Sequence, residues 1–258
     1  MKRAVLVTGA CINTGVAIVE RFLEEKRTVV FTGRNPERVR SAEQAYKEKF
    51  PEGEVYGYAI DSLFDERTVD EASVKALFSE LDERDILVDT LILNAADQGL
   101  GMKLFESPIT DFMRVYNTNV VWNFCMSEQA ALRMKENGGG SITFINSNTA
   151  YRAIPDRVAY VSSKGGQLGL MRALALDLGQ YGIRVNAVLP GMIKTDRWEK
   201  NPDFYENVPS RFTPIGDVAV GKDIADAAYY LAAHARNTTG AELVVDGGNS
   251  IQLYPIIR

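Results

Sequence analysis

Apolar and polar positions alternate along this chain on two length scales. Short runs rich in Val, Ile and Leu recur at 4–7, 28–32, 54–60, 90–93, 141–145, 183–188 and 242–245, and Gly, Asn, Asp or Pro lies close beyond most of them. Runs of that length and β-branched content, bounded by turn residues, predict strands buried on both faces. Between them, apolar residues recur at helical spacing at 15–22, 36–50, 68–81, 108–136, 160–181 and 223–233. This exchange of strand for helix predicts an α/β chain built as a doubly wound, parallel seven-stranded sheet with helices on both faces. One domain spanning 1–258 accounts for the pattern, since no linker, internal repeat or low-complexity tract interrupts it. Residues 192–214 lack a clean period and carry Trp198, Phe204, Tyr205 and Phe212, which reads as a substrate loop or lid.

With 46% hydrophobic residues in 258, the chain is long enough for a sizeable core. Its 29 basic and 34 acidic residues leave a net charge of −5, which argues against general affinity for nucleic acid or an anionic membrane. No apolar stretch approaches the ~18 residues of a membrane span. The run after Met1-Lys2-Arg3 is too short for a signal peptide. Cys11 and Cys125 are too few for a disulfide framework, so reduced thiols and a cytoplasmic setting are the simplest reading.

Candidate chemistry centres on Tyr160-Val161-Ser162-Ser163-Lys164. Four residues apart on a helix, the Tyr160 hydroxyl and the Lys164 ammonium can approach one point. A phenol with a pKa of about 10 is a poor base at neutral pH, but a neighbouring ammonium stabilises the phenolate and makes Tyr160 a usable general acid or base. Ser147 follows the fifth apolar run. Its hydroxyl is expected at a strand's carboxyl end, where open α/β sheets bind ligands, and could donate to a substrate oxygen. The first turn, Thr8-Gly9-Ala10-Cys11-Ile12-Asn13-Thr14-Gly15, joins strand to helix and can bring backbone N–H groups against a pyrophosphate.

After the second run, Gly33 stands where an NAD site would carry a carboxylate for the ribose 2′-hydroxyl, and Arg34 beside it suits a 2′-phosphate. Asp61 could accept from an adenine amino group or only cap a turn. Asn94 reads as an amide that pins neighbouring strands or as a ligand contact. Asn119, unfavourable inside a helix, reads as a group holding water near Lys164 or as a buried amide satisfied by backbone. Pro190-Gly191 ends the sixth run, with Thr195 within reach of the same strand ends. Gly165, Gly166, Gly169, Ala173 and Ala175 leave the Tyr160 helix narrow, for close packing on the sheet or against a symmetry mate. The lone His234 reads as a surface histidine, and no metal site is expected.

Together, residues 8–15, Asp61, Asn94-Ala95-Ala96, Asn119, Ser147, Tyr160 with Lys164, Pro190-Gly191 with Thr195, and Asp246-Gly247-Gly248 resemble the short-chain dehydrogenase/reductase family over essentially the whole chain. The resemblance implies a Rossmann-like fold and an oxidoreductase that interconverts a ketone and a secondary alcohol with a nicotinamide dinucleotide. By it, Tyr160 protonates the carbonyl oxygen as hydride arrives, or takes the proton back in reverse. Lys164 would bind the nicotinamide ribose and lower the Tyr160 pKa, Ser147 would hold the substrate oxygen, and Asn119 would support a water chain returning protons to Lys164. Gly9, Cys11, Asn13, Thr14, Gly15, Arg34, Asp61, Asn94, Ala95, Tyr160, Lys164, Pro190, Gly191, Ile193 and Thr195 would contact the nucleotide. Ser147, Tyr160, Met192 and Trp198 would face substrate.

Arg34 looks like the family's marker for NADP(H), with NAD(H) the alternative. Asn13 and Ala96 stand where members usually have glycine, and Ile12 where NADP enzymes often carry a second basic residue. Altered rather than abolished contacts are expected. The partners implied are a small carbonyl or alcohol and a second copy, as homodimer or homotetramer through the helices of Asn119 and Tyr160. Aromatics after Met192 favour an apolar or cyclic ketone, while Arg152 and Arg157 keep an acidic substrate open. Three other readings stay open: an NAD-dependent sugar or polyol dehydrogenase, a 3-oxoacyl thioester reductase, and a catalytically silent dinucleotide sensor.

Overall fold

The computed structural model describes residues 1–65, 68–200 and 211–255, without the side chains at 197 and 199. Its strands are β1 (Lys2–Val7), β2 (Thr28–Gly33), β3 (Val55–Ala59), β4 (Ile86–Leu93), β5 (Gly140–Ile145), β6 (Ile183–Pro190) and β7 (Glu242–Val245). They form one seven-stranded sheet in the order β3-β2-β1-β4-β5-β6-β7. Every neighbouring pair is parallel. The order reverses between β1 and β4, so the connections leave to opposite faces and a crevice opens at the strands' carboxyl ends.

The helices are α1 (Asn13–Glu24), α2 (Pro36–Lys49), α3 (Glu71–Glu83), α4 (Ile109–Tyr116), α5 (Trp122–Glu136), α6 (Val158–Leu178), α7 (Asp196–Lys200) and α8 (Gly221–Tyr229). Alternation along β1 sends Ala4 and Leu6 to one face and Val5 and Val7 to the other. Phe22 of α1, Val39 of α2 and Ile224 of α8 pack with Val5 and Val7. Phe78 of α3, Trp122 of α5 and Met171 of α6 pack with Ala4 and Leu6. Burial of each large side chain is worth roughly 1.5–3 kcal/mol, so both helical layers are held by their apolar stripes.

Boundaries differ from the sequence pattern where polar residues find partners. β4 starts at Ile86, ahead of the run at 90–93, because Asp89 inside it pairs with Arg27 and Arg3. α3 starts at Glu71 rather than at 68, since Val69 bridges to Leu63 and the Asp70 side chain accepts from Ser73 N at 2.9 Å. The continuous pattern at 108–136 is interrupted by a π-helical turn, Asn117–Val121, and the last helix passes into a second one, Tyr230–His234. Such turns widen the ladder from i→i+4 to i→i+5 and are frequent at functional sites. Of the irregular segment, Asp196–Lys200 is a short helix and Thr213 is buried, while Phe204 and Tyr205 lie outside the described residues. Among the described residues, no helix is long and apolar enough to cross a membrane and no cluster could hold a metal ion.

Candidate active site

Ser147 follows β5 in extended conformation and caps the single turn Asn148–Ala150. Its Oγ accepts from Thr149 N at 3.2 Å and from Thr149 Oγ1 at 2.9 Å. The Ser147 hydroxyl is near enough to the Tyr160 phenol to act on its ionisation. Tyr160 is the third residue of α6, one turn ahead of Lys164 on the same side. The Lys164 amine lies 5.7 Å from the centre of the Tyr160 ring. It donates to the Ile145 carbonyl at 3.0 Å, at the end of β5, and to Gln167 Oε1 at 3.2 Å.

Burial pulls the Lys164 amine down to about 7, with no carboxylate contributing. Burial also raises the Tyr160 phenol, against the Ser147 bond and the Arg157 charge that act to lower it. The sequence led us to expect the ammonium to lower the phenol. The net shift is upward, because low dielectric disfavours the charged form of both groups.

Asn119 sits in the π-helical turn, fully buried. Its Oδ1 accepts from Asp97 N at 2.7 Å, and its Nδ2 donates to Asp97 O at 2.8 Å and Ser163 Oγ at 2.9 Å. Its carbonyl accepts from Asn123 Nδ2 at 2.9 Å and Gln167 Nε2 at 2.5 Å. The side chain therefore matches the buried, satisfied amide of the two alternatives, while the carbonyl meets Lys164 through Gln167. Gln167, Asn146 and Thr149 are supporting residues that the sequence reading missed. A buried glutamine three residues after the lysine, on a face otherwise carrying Leu168 and Met171, was the available signal.

The turn after β1 fits a dinucleotide by what it excludes. Gly9 has φ 66°, and a Cβ there would lie 2.8 Å from Ala95 Cα. A Cβ on Gly15 would collide with the Gly9 carbonyl. Asn13 opens α1 at φ 51°, the left-handed conformation that asparagine tolerates, and no side chain caps this helix. The first N–H groups of α1, near Thr14, are thus available to an anion. Asn94 Nδ2 donates to the carbonyls of Thr8 at 3.1 Å and Gly9 at 3.0 Å. It shapes the turn instead of offering its amide protons to a ligand. Ala96 is exposed beside this cradle.

At the end of β2, a Cβ on Gly33 would collide with Cys11 Sγ, so the thiol leaves no room for a side chain there. Arg34 is exposed, and Arg38 on the first turn of α2 is close enough for its charge to act on the Cys11 thiol. Arg38 is a second cation at this corner that the sequence reading missed. Asp61 Oδ1 accepts from Ser62 N at 2.7 Å, the turn-capping role of its two alternatives.

Across the crevice, a Cβ on Gly191 would lie 2.6 Å from Asp246 Cβ, which seats the Pro190-Gly191 corner on the Asp246-Gly247-Gly248 turn. Burial works to raise the Asp246 carboxyl, but bonds from Ser250, Asn148 and Gly248 outweigh it and lower the pKa. Gly191 N donates to the Val245 carbonyl at 3.0 Å, Ile193 bridges to Ala219, and Trp198 N donates to the Thr195 carbonyl at 2.8 Å as the chain turns into α7. Arg152 donates to the carbonyls of Asn249 at 2.8 Å and Gln252 at 2.6 Å, which engages it in the C-terminal turn, whereas Arg157 donates to the Asp156 carbonyl at 2.9 Å and its charge acts on Tyr160. A separate cavity of about 240 Å³ lies between Met102, Leu104, Ile109, Phe112 and Val158. Neither Ser147, Tyr160 nor Lys164 lines it.

Residues 9–250 match the family model described as Enoyl-(Acyl carrier protein) reductase. The chain is 33% identical over 246 residues to the 3alpha-hydroxysteroid dehydrogenase of Mediterraneibacter gnavus, covering 95% of this chain and 96% of that one. It superposes with TM-score 0.83 and 30% identity on a 7 alpha-hydroxysteroid dehydrogenase complexed with NADH and 7-oxo glycochenodeoxycholic acid, covering 95% and 93% of the two chains. A structure of ElxO with NADP bound matches with TM-score 0.83 and 27% identity over 98% of this chain and 100% of that one.

The depressed Lys164 amine makes a stability prediction. Unfolded, the amine stays protonated to about pH 10.4; folded, it loses its proton near 7, so in that window the unfolded state binds more protons and stability gains from this group as pH rises. Below pH 7 the full cost of burying the ammonium is present. Urea unfolding of wild type and Lys164→Met, without nucleotide, is expected to show their difference moving in favour of wild type by about 1.4 kcal/mol per pH unit between about pH 7 and 10. A difference constant with pH would contradict the burial of a titrating amine.

Proposed function

The chain belongs to the short-chain dehydrogenase/reductase family, as an oxidoreductase acting on CH–OH groups with NAD(P), and on that premise we propose that it interconverts a partly apolar or cyclic ketone and its secondary alcohol, with NADP(H) preferred. The observation that carries this reading is the Tyr160 phenol with Ser147 near enough to act on it and the Lys164 amine buried one helical turn away, 5.7 Å from the ring centre. When bound, the dinucleotide supplies or accepts the hydride. Proton movement falls to the protein.

Ser147, oriented by Thr149, donates to the substrate oxygen. Tyr160 hands that oxygen its proton in reduction and recovers it in oxidation. Lys164, holding its proton beside the ring, stabilises the phenolate that forms. Gly9, Gly15 and the uncapped start of α1 hold the pyrophosphate, while Asn94 keeps the turn in shape. Thr195 and the backbone at Ile193 hold the carboxamide.

For cofactor choice, Cys11 leaves no room for an acid at Gly33, and Arg34 stands exposed next to it with Arg38 nearby. A guanidinium pairs well with a phosphate, so this corner favours a 2′-phosphate. Relatives of this chain are solved with NADH and with NADP, so either form suits the scaffold. An alicyclic ketone is supported by the hydroxysteroid dehydrogenases among the relatives and by the apolar Met192 two residues beyond the end of β6. Both cysteines are free, in keeping with a cytosolic setting.

A second copy fits the outer face of α5 and α6. Gly165 and Gly169 have open space around them, and Leu132 and Leu176 are exposed. Association through this face would place the helices of Asn119 and Tyr160 at the centre of a dimer.

Three outcomes are expected. In a screen of ketones and alcohols followed by nicotinamide absorbance, Tyr160→Phe lowers kcat by about a hundredfold or more while nucleotide affinity is kept; unchanged turnover rejects the mechanism. Arg34→Ala lowers the ratio of kcat/KM with NADPH to that with NADH by about tenfold or more, the worth of a charge-assisted bond; an unaltered ratio removes the phosphate role. Light scattering after size exclusion gives at least twice the mass of one chain, and Leu132→Glu with Leu176→Glu reduces it; a monomeric wild type refutes the association.

A further inference from the structure

Gln167 lies on the sheet-facing side of α6, fully buried, where a side-chain amide is costly unless every polar atom has a partner. Its Oε1 accepts from Lys164 Nζ at 3.2 Å and Asn146 Nδ2 at 3.0 Å. Its Nε2 donates to the Asn119 carbonyl at 2.5 Å. Asn146, next to Ser147, is tied in as well: its Nδ2 also donates to the Lys164 carbonyl at 3.0 Å, and its Oδ1 accepts from Ser147 N at 2.7 Å. One amide therefore joins the serine segment, the lysine amine and the π-helical turn.

We infer that Gln167 is a positioning residue for the proposed proton-transfer pair, tying the Lys164 amine directly to the Asn119 carbonyl through its side-chain amide; this rests on the functional reading above. The Asn119 carbonyl accepts from the side chains of both Gln167 and Asn123. An amide neither gains nor loses a proton in the working pH range. The link holds Lys164 in place and orders it against Tyr160.

The groups around the amine support this role. From β5 it meets the Ile145 carbonyl, from its own helix Gln167 and Tyr160, and from the π-helical turn only the Asn119 carbonyl beyond Gln167. Arg157 acts on Tyr160, and Asp97, held at Asn119, is paired with Arg114. Among the described residues no carboxylate contributes to the depressed amine, so neutral acceptors are what keep its proton. Removing one should release that proton earlier, and replacing it by a carboxylate should hold it longer.

The test uses the nucleotide-free protein with ¹³C-labelled lysine, following the Lys164 Cε signal with pH and identifying it by its absence in Lys164→Met. Gln167→Met, close in shape but without an acceptor, is expected to lower the titration midpoint by about one unit, tenfold in proton affinity, and Gln167→Glu to raise it by a similar amount. Midpoints unmoved in both variants, or shifted the same way as general loosening would do, overturn the inference. In the working enzyme, the pH of half-maximal alcohol oxidation should rise in Gln167→Met and fall in Gln167→Glu. Equal loss of kcat with an unmoved profile would overturn it too. Absence of any nicotinamide-linked turnover in wild type would count against the functional reading alone, because the amine titration needs no substrate and still decides on Gln167.

Discussion

An amine buried without a carboxylate partner is the constraint on which this site depends. Lys164 loses its hydration, and among the described residues its partners are neutral oxygens: the Ile145 carbonyl at the end of β5 and Gln167 Oε1. Desolvation then leaves the amine near the boundary between charged and neutral at physiological pH. A fully paired lysine would hold its proton firmly. One in this environment responds to small changes around it, and Tyr160, raised by the same burial, is its immediate neighbour.

That arrangement requires several elements to end at the same place. The end of β5 and the residues just beyond it supply Ile145, Asn146 and Ser147 in succession, α6 supplies Tyr160, Lys164 and Gln167 from adjoining turns, and the π-helical turn supplies Asn119. Parallel pairing of β5 with β4 and β6 aligns their carboxyl ends, and the reversal of strand order between β1 and β4 opens the crevice beside them. The nucleotide cradle follows from close approach. Thr8 Oγ1 accepts from both Asn94 N and Ala95 N at 3.0 Å, which draws the turn after β1 against the end of β4 and permits no side chain on Gly9.

Much of the fold was legible because strands buried on both faces leave long apolar runs bounded by turn residues. The runs failed where a polar residue had a distant partner: Asp89 concealed the start of β4, since Arg3 and Arg27 are remote in sequence. The break at Asn117–Val121 was hidden for a related reason, because a widened turn keeps helical periodicity nearly intact. Asn119 was nonetheless an anomaly visible in the sequence. Its reason, a carbonyl reaching Gln167 and a side chain bound to Asp97 and Ser163, lies outside any local pattern.

The sequence by itself determined the order of strands and helices, the Tyr160 and Lys164 spacing, the Gly-rich turn and the absence of an acid at Gly33, since these depend on neighbours along the chain. Only the tertiary structure decided that Cys11 fills the space beside Gly33, that Arg152 is engaged by the C-terminal turn, and that Asn94 shapes the turn it faces. It also decided the balance of charge at the centre. The effect of an ammonium on a phenol depends on how much water surrounds each, and burial is set by the packing of the whole chain.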